Sequence, residues 1–181
     1  MIALDTQTLA KAWFYQFSWG FSTVPATGTA DERDAEMLVY AQSLCNAIAA
    51  DGKASDTEIA WVQGYLANKG FGNLVHEVEA MAKAAESKTL DQMVADTKKA
   101  MDVGSLKFAG PAVIFDSIRA AMVDGLDDKE YAATVAMAGA FGLSAEKVEE
   151  LKELALEEEA FRAKKARIVT PGHPCLDAKY Q

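Results

Sequence analysis

Oxygen ligands gather at two bends in this sequence. Each bend places an Asp-Gly pair, Asp51-Gly52 or Asp124-Gly125, at the end of a helical run, and a glutamate follows in the first turn of the next helix. Five residues separate Gly52 from Glu58, and four separate Gly125 from Glu130. Carboxylates at that spacing can converge on a hard divalent cation of the Ca²⁺ or Mg²⁺ type, with Asp56, Asp127 or Asp128 as auxiliary donors. A purely structural reading uses the same atoms. Glycine takes the left-handed cap conformation cheaply, the glutamate closes a capping box, and the aspartate bonds its own turn. Both readings stand on sequence grounds. An EF-hand does not: aligning Gly52 and Glu58 with its invariant glycine and terminal glutamate puts Ala47 and Ala49 at the first and third ligand positions. A site of loosely held oxygen ligands would bind weakly.

The rest of the chain offers little reactive chemistry. Its two histidines, His76 and His173, lie in no Ser-His or Cys-His context, so a nucleophilic triad has no members. His173-Pro-Cys175 supplies two soft ligands with no second pair at metal-binding spacing. Gly70-Phe-Gly72 lacks the third glycine and the preceding strand of a dinucleotide fingerprint. With no matched acid, base and nucleophile, the expectation is a protein that is not an enzyme. A net charge of -9 and a pI near 4.7 repel phosphate backbones, which sets nucleic acid aside. Two cysteines make no disulfide framework and favour the cytoplasm or another reducing compartment. The longest uncharged apolar stretch, Ala132 to Leu143, is shorter than the roughly 18 residues of a membrane span. Met1 to Asp5 show no basic or continuous apolar leader, so no export signal is read.

The elements that must hold the bends are helices throughout. No window alternates with strand periodicity, and 181 residues with 50% hydrophobic side chains can fill one sizeable core. Leu9, Ala10, Trp13, Phe14, Phe17 and Phe21 share one helical face, while Tyr15 and Trp19 project from the other. One helix cannot hide aromatics on both faces of a small domain, so Tyr15 and Trp19 are candidates for docking a protein partner. A peripheral membrane contact is the lesser option, because nearby cations are too few for a basic amphipathic anchor. Residues 1–28 then form an aromatic helix and a Pro-containing linker.

Capping boxes at Thr29-Ala-Asp-Glu32, Ser55-Asp-Thr-Glu58, Thr89-Leu-Asp-Gln92 and Asp127-Asp-Lys-Glu130 predict helix starts. Further helices are expected over 74–86, from Pro111 to Asp124, and from Ser144 to Arg167. The two bends and their closing pairs, Gly70-Phe71 and Gly142-Leu143, recur 72 or 73 residues apart, the pattern of a duplicated helical hairpin. The expected architecture is all-α with about eight helices. A domain over 29–167 would contain related halves near 30–86 and 105–160, and an irregular tail would follow over 168–181.

At the bends the chain resembles the TerB-like family, helical proteins named for tellurite resistance that carry an Asp-Gly turn followed by an acidic residue in the next helix. The likeness rests on Ala-Ile-Ala-Ala-Asp51-Gly52-Lys-Ala-Ser-Asp-Thr-Glu58 and, more loosely, on Ala-Ala-Met-Val-Asp124-Gly125-Leu-Asp-Asp-Lys-Glu130. It spans residues 30 to 160 approximately. The resemblance implies a compact fold of duplicated hairpins, association with metal-stress or membrane-proximal complexes, and acidic residues that take cations. It does not imply catalysis. The aromatic N-terminal segment and the His-Pro-Cys tail fall outside the pattern. They suit the alternative, a structural subunit docked into a larger assembly through both ends, with no metal.

Overall fold

The computed structural model describes residues 29–101 and 109–169. Seven α-helices and no strand occur among them: α1 (Ala30–Ile48), α2 (Asp56–Asn68), α3 (Glu77–Ala85), α4 (Leu90–Met101), α5 (Gly110–Ala121), α6 (Asp128–Ala140) and α7 (Ala145–Val169), with a 3-10 turn at Gly72–Leu74 before α3. The all-α expectation holds. The aromatic helix expected before residue 28, with Tyr15 and Trp19, lies outside the described residues, as does the tail carrying His173 and Cys175.

Side-chain caps set the helix starts. Thr29, Ser55 and Asp127 each form a reciprocal capping box with the glutamate three residues on. Thr89 and Gln92 exchange the equivalent bonds ahead of α4, and the Ser144 hydroxyl accepts from the Lys147 amide ahead of α7. Each such cap stabilises by about 1 kcal/mol. The absence of a cap shifts α3: His76 makes no side-chain cap bond, the chain enters through the 3-10 turn, anchored by buried Leu74, and helix begins at Glu77 instead of Leu74. At the other ends, α5 stops at Ala121, three residues short of Asp124, because the chain needs Val123 to Gly125 for its turn. Helix α7 continues to Val169.

Helices α1 and α5 pack against each other at the centre. Helix α3 closes over α1 and α2, α7 closes over α5 and α6, and α4 lies across α6 and α1. The core divides accordingly. Tyr40, Leu44, Ile48, Val62, Leu66 and Val78 fill one cluster with Val113, and Ile114, Ile118, Met137 and Val148 fill the other with Ala47. Each large aliphatic side chain buried there contributes roughly 1.5–3 kcal/mol. Gly110 opens α5 where a Cβ would stand 2.9 Å from the Phe141 side chain, so only glycine lets α5 start that close to the end of α6. This central pairing brings the two bends to one place.

Candidate functional site

The two bends share a left-handed glycine and a capping glutamate, and their aspartates bond differently. Gly52 and Gly125 sit at φ +106° and +121°, a region that costs any residue with a Cβ roughly 1–2 kcal/mol. Asp51 turns its Oδ1 to the Lys53 amide at 2.8 Å, the local bond that makes aspartate a good turn residue. The capping glutamates then point inward. Glu58 Oε2 accepts from the Ser55 amide and Glu130 Oε2 from the Asp127 amide, each at 2.8 Å, and the two residues are only 2% and 4% exposed.

The fold sets these two carboxyls against each other. The Thr57 hydroxyl donates to Asp124 Oδ2 at 3.2 Å and ties the first bend to the second. Glu58 lies against Glu130, Asp124 acts on Glu58, and Asp51 acts on Glu130, so each bend presents its aspartate to the glutamate of the other. Burial pushes the Glu58 pKa up, and its capping amide only partly offsets this. Glu130 is pushed up to about 8, first by burial and further by Glu58 and Asp51. Glu58 Oε1 is buried with no partner other than the Glu130 carboxyl that it faces. Its nearest polar company is another acid. The two carboxyls can remain in contact only with a shared proton or with positive charge between them.

All four sequence candidates, Asp51, Glu58, Asp124 and Glu130, therefore belong to one locus. Their roles differ. Glu58 and Glu130 form the buried pair, while Asp51 and Asp124 stand exposed at its rim, as do the auxiliary candidates Asp56, Asp127 and Asp128. As placed, no three His, Cys, Asp or Glu side chains among the described residues are grouped to grip a metal ion. The donor set is oxygen only, which suits a hard cation, and Glu58 Oε1 is the atom such an ion would satisfy.

A second polar cluster was not read from the sequence. Asp116 is buried in α5, where its Oδ2 accepts from the Tyr40 hydroxyl at 2.8 Å and its Oδ1 from Arg119 Nη1 at 3.0 Å. Burial raises its pKa, and Tyr40, Tyr65 and Arg119 oppose that rise. Tyr40 stacks on Tyr65 at 5.8 Å between centroids, and Tyr65 on Trp61 at 5.6 Å. The Arg119 guanidinium lies 5.3 Å from Trp61 and 5.5 Å from Phe115, and reaches Glu158 at 3.6 Å. Trp61, Tyr65, Phe115, Asp116, Arg119 and Glu158 line a groove of about 700 Å³ between α2, α5 and α7, with Tyr40 buried behind them. The signal was a single acid inside the apolar run Ala112-Val-Ile-Phe-Asp116-Ser-Ile118. A charge there demands an internal partner.

Neither a protein-family model nor a curated protein matches the sequence. A solved structure does, and it defines the class: the chain is an all-helical bundle of the TerB-like fold. That structure is of a tellurite resistance protein from Nostoc punctiforme, similar at a TM-score of 0.64 and 24% identity over 96% of this chain and all of the other. Among the described residues no helix is long and apolar enough to cross a membrane.

Proposed function

We propose that this protein is a non-enzymatic helical module of the TerB type that takes a divalent cation between its facing corners, in the setting of metal stress. Glu58 and Glu130 supply the inner ligands. Asp51 and Asp124 complete the set by turning in from the rim, releasing the Lys53 amide and the Thr57 hydroxyl. One observation carries the reading: two buried carboxyls face each other, and one oxygen meets nothing but the opposing acid. Capping explains one oxygen of each glutamate. It leaves their mutual approach unexplained. The likeness to a tellurite resistance protein supports the metal-stress setting.

Calorimetric titration with Ca²⁺, Mg²⁺ and Zn²⁺ tests the proposal. The wild type is expected to bind Ca²⁺ or Mg²⁺ weakly, in the range of about 10⁻⁵ to 10⁻³ M, with oxygen ligands disfavouring Zn²⁺. Glu58→Gln keeps the capping acceptor and removes a charge, so it is expected to stay folded and lose the heat. Wild-type protein that takes up none of the three ions would refute the cation site.

A further inference from the structure

Among the described residues, helix α7 outruns the bundle it belongs to. Its buried residues, Val148, Leu151 and Ala155, all lie in its first half, and the helix then continues to Val169. Away from those buried positions a large apolar side chain recurs at every seventh residue, Leu154 in the first half and Phe161 and Ile168 in the second, and these are 49%, 65% and 64% exposed. Seven residues return a straight helix to almost the same direction, with a drift of about 20°, so the three side chains form one stripe. An apolar stripe so exposed is, among the described residues, an unpartnered face.

The charges beside the stripe indicate what covers it. Glu157 and Glu158 precede Phe161 by four and three residues, and Lys164 and Lys165 follow it by three and four. Helical neighbours at three or four positions usually neutralise such charges, as Arg162 does for Glu158. Glu157 has no such neighbour: the positions in reach hold Glu153, Leu154, Ala160 and Phe161. Lys164 reaches only Ala160, Phe161, Arg167 and Ile168, and Lys165 reaches Phe161, Arg162, Ile168 and Val169. Three charges flanking the stripe thus find no counter-charge along their own helix.

We propose that α7 pairs antiparallel with α7 of a second copy of this chain, about a two-fold axis at Phe161. Positions equally far before and after Phe161 then meet. Phe161 packs on its twin, Leu154 of each copy meets Ile168 of the other, and Glu157 and Glu158 come beside Lys164 and Lys165. A parallel pairing would set acid against acid and lysine against lysine. The self-complementary order of acids, aromatic and lysines therefore selects the antiparallel direction, and a two-fold interface closes as a dimer. The contact from Leu154 to Ile168 is about 21 Å long, well below a standard interface, which places the association in the micromolar to millimolar range.

Sedimentation equilibrium on the full chain, from about 10 µM to about 1 mM, tests this. The weight-average mass should climb from the 19.5 kDa of one chain toward twice that value. Phe161→Glu should stay monomeric throughout, with the circular dichroism and melting of the wild type because the residue packs on nothing in its own chain's core. Glu157→Lys and Lys165→Glu, which alter the two positions that meet four residues either side of Phe161, should each weaken self-association by about tenfold or more, and mixing them in equal amounts should restore it, since every contact is then between opposite charges. A wild type that remains monomeric at the top concentration, a dimer that survives Phe161→Glu, or a mixture that fails to recover would each overturn the pairing.

Discussion

Asp116 and Glu58 are both buried acids in one small bundle, and their surroundings are opposite. Asp116 is answered by its own chain, with a tyrosine hydroxyl and an arginine each within 3.0 Å. Glu58 receives one capping amide and otherwise faces Glu130. The first arrangement is complete, so it holds α1, α2 and α5 in register and asks nothing of solvent. The second is complete only with a shared proton or an added positive charge. Burial makes an acid expensive in both places, and the company it keeps separates a structural tie from a candidate ligand site.

That contrast can be broken first at the satisfied acid. Asp116→Ala leaves the buried Tyr40 hydroxyl and the Arg119 guanidinium without their common acceptor, and should lower the unfolding free energy by about 3–5 kcal/mol in urea titrations. A loss below about 1 kcal/mol would mean that the aromatic stack, and not the acid, holds the cluster. The unsatisfied acid should respond in the other direction to an added ion. Ca²⁺ or Mg²⁺ at about a hundred times its dissociation constant should raise the unfolding free energy by roughly 2.7 kcal/mol, and Glu130→Gln should cancel that gain.

Smaller effects sharpen the same comparison. In cation-free protein near pH 8, Glu58→Gln should stabilise by about 1 kcal/mol, because the amide keeps the cap and donates to Glu130 where two charges would repel. The pH dependence has a defined sign. A carboxyl whose folded pKa is raised from 4.5 to about 8 holds more protons folded than unfolded between those values, so stability is greatest below that window and falls as pH rises through it. Urea midpoints between pH 5 and pH 8.5 should show this fall in the wild type. Saturating cation, or Glu130→Gln, should flatten it.

Much of the frame was legible in the chain because short-range rules govern it. Thr29, Ser55, Thr89 and Asp127 announced helix starts through bonds spanning three residues, and the structure contains them. The four carboxylates of the candidate site were legible as types and spacings. Their division into a buried pair and an exposed rim was not, because it depends on α1 meeting α5 across the molecule. Asp116 was missed for the same reason: its partners Tyr40 and Tyr65 lie 76 and 51 positions away, on other helices. The start of α3 was misread because an apolar run at helical spacing does not reveal that its first turn lacks a cap.

If a cation does stand between Glu58 and Glu130, it must displace the proton that the metal-free pair shares near neutral pH. Calorimetric titration of Ca²⁺ or Mg²⁺ at pH 7, repeated in buffers of different ionisation enthalpy, reads that proton directly. The expected result is release of about one proton per ion bound, falling toward zero as the pH is raised past the Glu130 value. Binding that releases no proton at pH 7, or no binding at all, would contradict the account.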